Sequence, residues 1–413
     1  MSYILALNCG SATLKYQIFD EDTKAVVISG NVEKIGLADS FVTQKWPDGK
    51  KERKETSIQN HNEALNVVMF MLREASIDMN QITAVGHRVV QGGEKFKSSV
   101  EINDEVIRAI EDLTVISPLH NPANLMGIVV AKQVLPNARQ VAVFDTAFFS
   151  TLPDYVYRYA VPKAWYTELG VRKYGKHGTS HLYVSKRAAK MLGKPASDVN
   201  LISLHIGSGA TAAAIRGGKA IDISLGMTVL AGLVMGTRPG DLDPGVVLYV
   251  MQRLGLSPEQ MMTHLIRSSG LKGITECFED RRDAEENKEK NDDCRLALQM
   301  ESNQVKKYVG AYMAELGHVD AIVFTAGVGE NDDYLREKML EGLEELGIKL
   351  DKEANSKAMA RLSVGECVIS APDSKVKIFM IPTNEELVIA EDTIAIANGT
   401  YNPNHLEMKY SFA

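Results

Sequence analysis

Six residues suited to phosphoryl-group chemistry stand at the ends of short apolar runs: Asn8, Arg88, Asp145, His177, Arg238 and Glu385. Arginine offers a planar fork of donors that matches carboxylate and phosphate oxygens. Carboxylates and asparagine supply the oxygen ligands that a hard cation prefers. Glycine turns, whose exposed backbone N–H groups suit phosphate, occur at Gly207-Ser208-Gly209 and within Asn8-Cys9-Gly10-Ser11-Ala12-Thr13. Phosphoryl transfer needs mainly positioning and charge neutralisation, which this set supplies. No nucleophilic serine elbow and no retaining carboxylate pair is signalled. His177 and His181 are four apart and could share a helix face as zinc ligands, but no third ligand follows, so zinc is rejected.

The elements that must carry these residues repeat. Residues 201–206 read as a strand, 207–209 as a glycine turn, 210–215 as a second strand, 216–219 as a hairpin turn and 220–224 as a third strand. Arg238 follows, in Gly236-Thr-Arg-Pro-Gly240, beside Asp241 and Asp243. The N-terminus has the same order: a strand at 4–7, a turn at 8–13, a strand at 14–19 containing Lys15, and a third strand at 25–29. One such turn is weak evidence; two, one per half, predict two similar domains facing a shared cleft.

Between these meanders the chain alternates helices and strands. Residues 62–75 space Leu65, Val68, Met69 and Leu72 on one helix face. A strand from 82 runs toward Arg88 and the turn Gly92-Gly93; 105–114 reads as helix; His120 stands between Pro118 and Pro122. Asp145 ends the apolar strand 140–144, a usual ligand position in α/β folds. Gly178-Thr179-Ser180 precedes a helix expected from about Ser180 and suits an anion. Residues 278–290 are a charge run, read mostly as a solvated face; 304–316 and 332–346 read as helices. The strand at 321–324 enters Gly327-Val328-Gly329, and a strand at 376–381 leads to Glu385 and a helix to 397. The first domain is expected to span 1–150, completed by a C-terminal helix at about 386–413, and the second 151–385.

With 413 residues, 45% of them hydrophobic and 24% charged, the composition is globular. A net charge of −7 leaves no basic footprint for nucleic acid. Cys9, Cys277, Cys294 and Cys367 form no CxxC pair, which fits a reducing cytoplasm. No signal peptide and no membrane span are read.

The motifs Asn8-Cys-Gly-Ser-Ala-Thr-Leu-Lys15, Gly86-His-Arg-Val-Val90, Pro118-Leu-His-Asn-Pro122, Phe144-Asp-Thr-Ala-Phe148, His177-Gly-Thr-Ser-His181, Gly232-Leu-Val-Met-Gly-Thr-Arg238, Phe324-Thr-Ala-Gly-Val-Gly-Glu-Asn331 and Pro382-Thr-Asn-Glu-Glu386 together resemble the acetate kinase family. The resemblance implies an α/β fold of two duplicated actin-like (ribonuclease H-like) domains with a central cleft, assembled as a homodimer. It implies magnesium-dependent (or manganese-dependent) phosphoryl transfer between ATP and acetate, giving acetyl phosphate and ADP. It assigns Asn8 and Glu385 to the metal, with Asp145 supporting it or orienting acetate. Arg88 and Arg238 would grip the acetate and the transferring phosphoryl, His177 would hydrogen-bond that phosphoryl, and His120 would assist. Ser11, Thr13, Lys15, His205, Gly207, Ser208 and Gly209 would serve the nucleotide phosphates. Asp280, Arg282, Gly327, Gly329 and Asn331 would contact adenosine. Val90, Leu119, Lys176 and Val229 would line the acetate pocket.

The chain departs from the family pattern at Ser208 (commonly asparagine), Lys176 (phenylalanine), Val229 (proline), Gln91 and Phe149 (histidines) and Arg281, where an apolar neighbour of adenine is common. Alternatives that use the same residues are a pyrophosphate- or phosphate-dependent acetate kinase, a propionate kinase, and a nucleotide-binding protein without turnover.

Overall fold

The computed structural model describes residues 2–10 and 12–413. Ser11, expected at a phosphate turn, lies outside the described residues. The chain forms two compact units, residues 1–150 with 384–413, and residues 151–383.

The first unit holds a sheet of β1 (Tyr3–Cys9), β2 (Thr13–Asp20), β3 (Val26–Glu33), β4 (Phe41–Lys45), β5 (Lys51–Glu55), β6 (Ile82–Val89), β7 (Val100–Glu101) and β8 (Arg139–Phe144), in the order β5-β4-β3-β2-β1-β6-β8-β7. The second holds β9 (Asn200–Ile206), β10 (Ala210–Arg216), β11 (Lys219–Ile223), β12 (Ala321–Thr325), β13 (Cys367–Val368) and β14 (Lys377–Met380), in the order β11-β10-β9-β12-β14-β13. Five strands repeat. β3-β2-β1 and β11-β10-β9 are antiparallel meanders. Each then continues with two parallel strands, β6 and β8 or β12 and β14.

Alternation along β1 explains the layers. Leu5 and Leu7 face a core with Leu65, Val68 and Val130, from helices His61–Glu74 and Asn121–Val134. Ile4 and Ala6 face the opposite core, with Ile389 and Ala390 of helix Glu385–Ala397. Successive strand side chains point to opposite faces, so a nearly all-apolar strand is covered on both. Each large apolar side chain so buried contributes about 1.5–3 kcal/mol. The last helix packs so close to β6 that a Cβ on Gly86 would fall 2.2 Å from Thr393 Oγ1.

Several helix limits differ from the expected ones: the C-terminal helix expected at about 386–413 runs Glu385–Ala397, with turns and irregular chain beyond it. The helix expected at 304–316 begins at Asp292, because Asn291 caps the N–H groups of Asp293 and Cys294. The helix expected at 332–346 ends at Leu340, ahead of Gly342, whose φ of +81° leaves the helical region.

Candidate active site

In the first unit the parallel strands β1, β6 and β8 bring their C-terminal ends together, carrying Asn8, Arg88 and Asp145. Arg88 grips Asp145 with two N–H groups: Nε donates to Oδ1 at 3.0 Å and Nη2 to Oδ2 at 2.6 Å. Nη1 donates to Asn8 Oδ1 at 3.3 Å. Glu385, the first residue of its helix, holds Oε2 3.8 Å from Arg88 Nε. Burial opposes the charge on Arg88, but Asp145, Glu385 and Glu386 outweigh it and lift its pKa above the ordinary arginine value. Burial and the charge of Glu385 push the Glu386 carboxyl upward, against Lys15 and Arg88. Lys15 is exposed and directly opposite Asn8 in the β1–β2 register.

Thr13 closes the Gly10 turn, accepting the Gly10 N–H at its carbonyl, 2.8 Å away. Val90 is buried, and Leu119 and His120 are half-buried. Two buried asparagines from one helix hold this region, a role the sequence did not reveal. Asn124 Oδ1 accepts the Val90 N–H and its Nδ2 donates to the Cys9 carbonyl; Asn121 bridges both backbone groups of Gln91.

In the second unit His177 takes a left-handed φ of +62° immediately before helix Gly178–Met191, which starts two residues earlier than expected. Such a conformation is costly for a non-glycine residue and is held by its surroundings. The His177 ring stacks on His205 with centroids 4.2 Å apart. Its Nδ1 lies 3.0 Å from Thr211 Oγ1, which also lies 2.9 Å from His181 Nε2; His181 Nδ1 lies 2.8 Å from Ser203 Oγ. Burial and the charge of His205 hold His181 well below the usual histidine pKa, so it is neutral. Ser180, expected to offer an anion site, instead places Oγ 2.8 Å from His205 Nδ1 and 2.9 Å from Thr383 Oγ1.

Arg238 differs from Arg88. Its Nη1 donates to the Val229 carbonyl at 3.2 Å and its Nη2 reaches the Ser208 carbonyl at 3.5 Å. Among the described residues it pairs with no carboxylate, and burial lowers its pKa. Asp241 and Asp243 are spent elsewhere. Asp241 accepts the Gly232 N–H and the Tyr308 hydroxyl, and Asp243 caps helix Pro244–Leu254. Gly209 separates Arg238 from His177. A Cβ there would lie 3.2 Å from Arg238 Nη2 and 3.4 Å from His177 Nε2. Lys176 and Val229 are buried.

Gly207, Ser208, Arg238, Asp280, Arg282, Gly327 and Asn331 line one recess of about 840 Å³, a volume suited to a nucleotide. A Cβ on Gly327 would meet open space, whereas Gly329 packs against β9 and β12, so Gly329 shapes the recess without lining it. Asn331 Nδ2 donates to the Gly327 carbonyl and its Oδ1 accepts the Arg361 N–H. Glu330 is a clamp the sequence did not reveal: Oε1 accepts the N–H groups of Ala326 and Thr383. The charge run at 278–290 is not wholly solvated either. Arg282 is exposed and paired with Asp280, but Arg281 is 5% exposed and held by Glu285, Glu301 and Asp332.

The Acetokinase family model matches residues 3–391. The chain belongs to the acetokinase family. It is 50% identical to the acetate kinase of Geobacter metallireducens over 99% of this chain and 98% of that one. The crystal structure of Porphyromonas gingivalis acetate kinase superposes with a TM-score of 0.88 at 45% identity, covering 96% of this chain and 100% of that chain. A propionate kinase from Francisella tularensis superposes with the same TM-score of 0.88 at 38% identity, covering 94% and 98%. As an acetokinase-family member the chain is a phosphotransferase with the fold of acetate kinases.

Among the described residues no group of three or more His, Cys, Asp or Glu forms a metal cage. The donors around Arg88 nevertheless fit magnesium, which is commonly held by one or two carboxylates together with waters and phosphate oxygens. Asp145, Glu385 and Glu386 outnumber Arg88 and Lys15, the cations acting on them. No helix is long and apolar enough to cross a membrane.

Proposed function

We propose that this chain catalyses reversible phosphoryl transfer from ATP to acetate, giving acetyl phosphate and ADP. The observation that carries the reading is Arg238, a cation without a carboxylate partner among the described residues, beside His177 across Gly209 and on the wall of a nucleotide-sized recess. An acetate oxygen attacks the γ-phosphorus as the bond to the β–γ bridging oxygen breaks, and ADP leaves. Acetate is ionised at pH 7, so no general base is needed. Arg238 takes charge on the transferring group. His177 adds an N–H from Nε2 when the relay runs from Ser203 through His181 and Thr211, each group donating to the next. Asn8, Asp145 and Glu385 would hold magnesium, with Arg88 orienting Asp145 and Asn8. When bound, the metal neutralises charge on the phosphate oxygens.

Val90 and Leu119, apolar residues of the first unit, are read as lining a small acetate pocket. Such a pocket separates acids differing by one methylene by only about 1–3 kcal/mol, so propionate is a second substrate. The homodimer reading is supported by helix Pro244–Leu254, which buries no residue and leaves Leu248 and Leu254 each 69% exposed. A cytoplasmic setting is supported by four free cysteines.

The test is an acyl phosphate assay with purified protein, acetate and magnesium, run with ATP and separately with pyrophosphate. Acetyl phosphate with ATP is expected. Product with pyrophosphate alone would replace this reading, and product with neither donor would turn attention to a nucleotide binder without turnover.

A further inference from the structure

Thr383 ends the second unit and is tied in two directions. Its N–H donates to Glu330 Oε1 at 2.9 Å, and the same oxygen accepts the Ala326 N–H at 2.7 Å. Ala326 takes a left-handed φ of +67°, uncommon for a residue with a Cβ, and its carbonyl accepts the Glu330 N–H at 2.7 Å. Glu330 therefore pins the start of the segment whose Gly327, Val328 and Asn331 line the recess. In the other direction Thr383 Oγ1 lies 2.9 Å from Ser180 Oγ, which lies 2.8 Å from His205 Nδ1, and His177 stacks on the His205 ring.

Chemistry separates the two ties. The bond from N–H to Glu330 holds the backbone, and any residue but proline could make it. The hydroxyl needs threonine or serine, and it is the side that reaches the histidines. Ser180 is fully buried and has one proton to give, so between Thr383 and His205 it donates to one and accepts from the other. Without the Thr383 hydroxyl one side of Ser180 loses its partner, and the bond that fixes the His205 ring is weakened. The His177 ring rests on that plane, 14° from parallel.

We propose that Thr383 is a positioning residue for phosphoryl transfer: through Ser180 and His205 it sets the plane of the His177 ring, and through Glu330 it keeps that ring in register with the wall of the nucleotide recess. This rests on the reading of His177 as a ligand of the transferring phosphoryl. A misaimed group costs rate more than binding, because its interaction matures only in the transition state. Thr383 is not among the residues that line the recess, so loss of its hydroxyl should spare nucleotide binding.

Thr383→Val removes the hydroxyl and keeps the N–H, and Thr383→Ser keeps both; Thr383→Ala serves where the valine variant does not fold. In acetyl phosphate formation Thr383→Val is expected to lower kcat about tenfold with the ATP KM within about twofold of wild type, and Thr383→Ser to restore kcat. Because Thr383 acts through Ser180, the double variant Thr383→Val with Ser180→Ala should be no slower than Ser180→Ala alone. Histidine-nitrogen NMR reads the same chain without turnover: the His205 Nδ1 resonance should move in Thr383→Val and return in Thr383→Ser. An unchanged kcat in Thr383→Val, losses that multiply in the double variant, or a His205 resonance that stays in place overturns the proposal while leaving the kinase reading intact. A wild-type protein that forms no acetyl phosphate overturns both.

Discussion

The His177 ring lies almost flat on His205, with centroids 4.2 Å apart and planes 14° from parallel, while its Nδ1 meets Thr211. Stacking fixes the plane of the ring and the hydroxyl fixes its rotation, so Nε2 is directed past Gly209 toward Arg238. Thr211→Val removes the hydroxyl at nearly constant volume. We expect kcat to fall roughly tenfold through lost orientation, with the nucleotide KM little changed. Thr211→Ser should restore it. Steady-state kinetics on both variants checks this, and an unchanged kcat in Thr211→Val would remove the relay from catalysis.

Among the described residues Arg238 hydrogen-bonds backbone carbonyls and no carboxylate, so its removal strands no buried carboxylate there. Arg238→Ala should lower kcat by about 10²–10³-fold, the usual loss for one transition-state donor, with a near-normal melting temperature. Near-normal turnover would take Arg238 out of the site.

Gly209 needs no left-handed backbone, so alanine is tolerated by the chain itself. Its Cβ, however, would press on Arg238 Nη2 and His177 Nε2, at 3.2 and 3.4 Å. Gly209→Ala should therefore leave the melting temperature nearly unchanged and cost about 10²-fold in kcat, because small displacements of positioned groups are expensive. A structural loss without a kinetic one would contradict the placement of these side chains.

Asp145 is fully buried, while the Arg88 side chain is 17% exposed. Asp145→Ala leaves the arginine charge partly uncompensated, with Glu385 3.8 Å away. We expect a loss of about 3 kcal/mol in unfolding free energy together with loss of activity. Denaturant titration measures the first. Unaltered stability would mean that Glu385 and Glu386 suffice to hold Arg88.

Asp392 is buried, accepts the Ser99 and Tyr410 hydroxyls, and its carboxyl is pushed up to about 6, chiefly by burial. The unfolded value is about 3.9, so between about pH 4 and 6 the native state binds more protons than the unfolded chain. The contribution of this group to stability is therefore highest below pH 4, falls as pH rises to 6, and is constant above. Asp392→Asn should flatten that part of the profile. Urea midpoints for wild type and variant across pH 4–7 check it, and parallel profiles would assign the dependence to other groups.

Much of this site could be read from the chain. Strand ends are visible because apolar runs stop at polar residues, and Asn8, Arg88 and Asp145 stand at three such stops. The repeated strand–turn–strand order exposed the duplication although the residues hardly repeat. Partners were harder to read. Asp241 and Asp243 looked like companions of Arg238 because they are near in sequence, yet one braces Gly232 and the other caps a helix. Arg281 stood in a charge run read mostly as a solvated face, and was singled out only as a departure from the family pattern near adenine. It is buried because Glu301 and Asp332, 20 and 51 residues later, converge on it. Thr211, Asn121, Asn124 and Glu330 were assigned no role from the sequence, even where Asn121 and Glu330 stood inside motifs, since each is an ordinary polar residue whose role is to touch a backbone group or ring that folding brings to it.

The sequence by itself determined the family, the α/β alternation and the set of charged residues, because these depend on residue type and local order. Only the tertiary structure decided that Arg88 is neutralised while Arg238, among the described residues, is not. It also turned His177 toward Gly209 and buried Arg281 among carboxylates. Charge balance and hydrogen-bond satisfaction depend on groups brought within a few ångströms from distant parts of the chain, and proximity of that kind has no period, motif or composition to announce it.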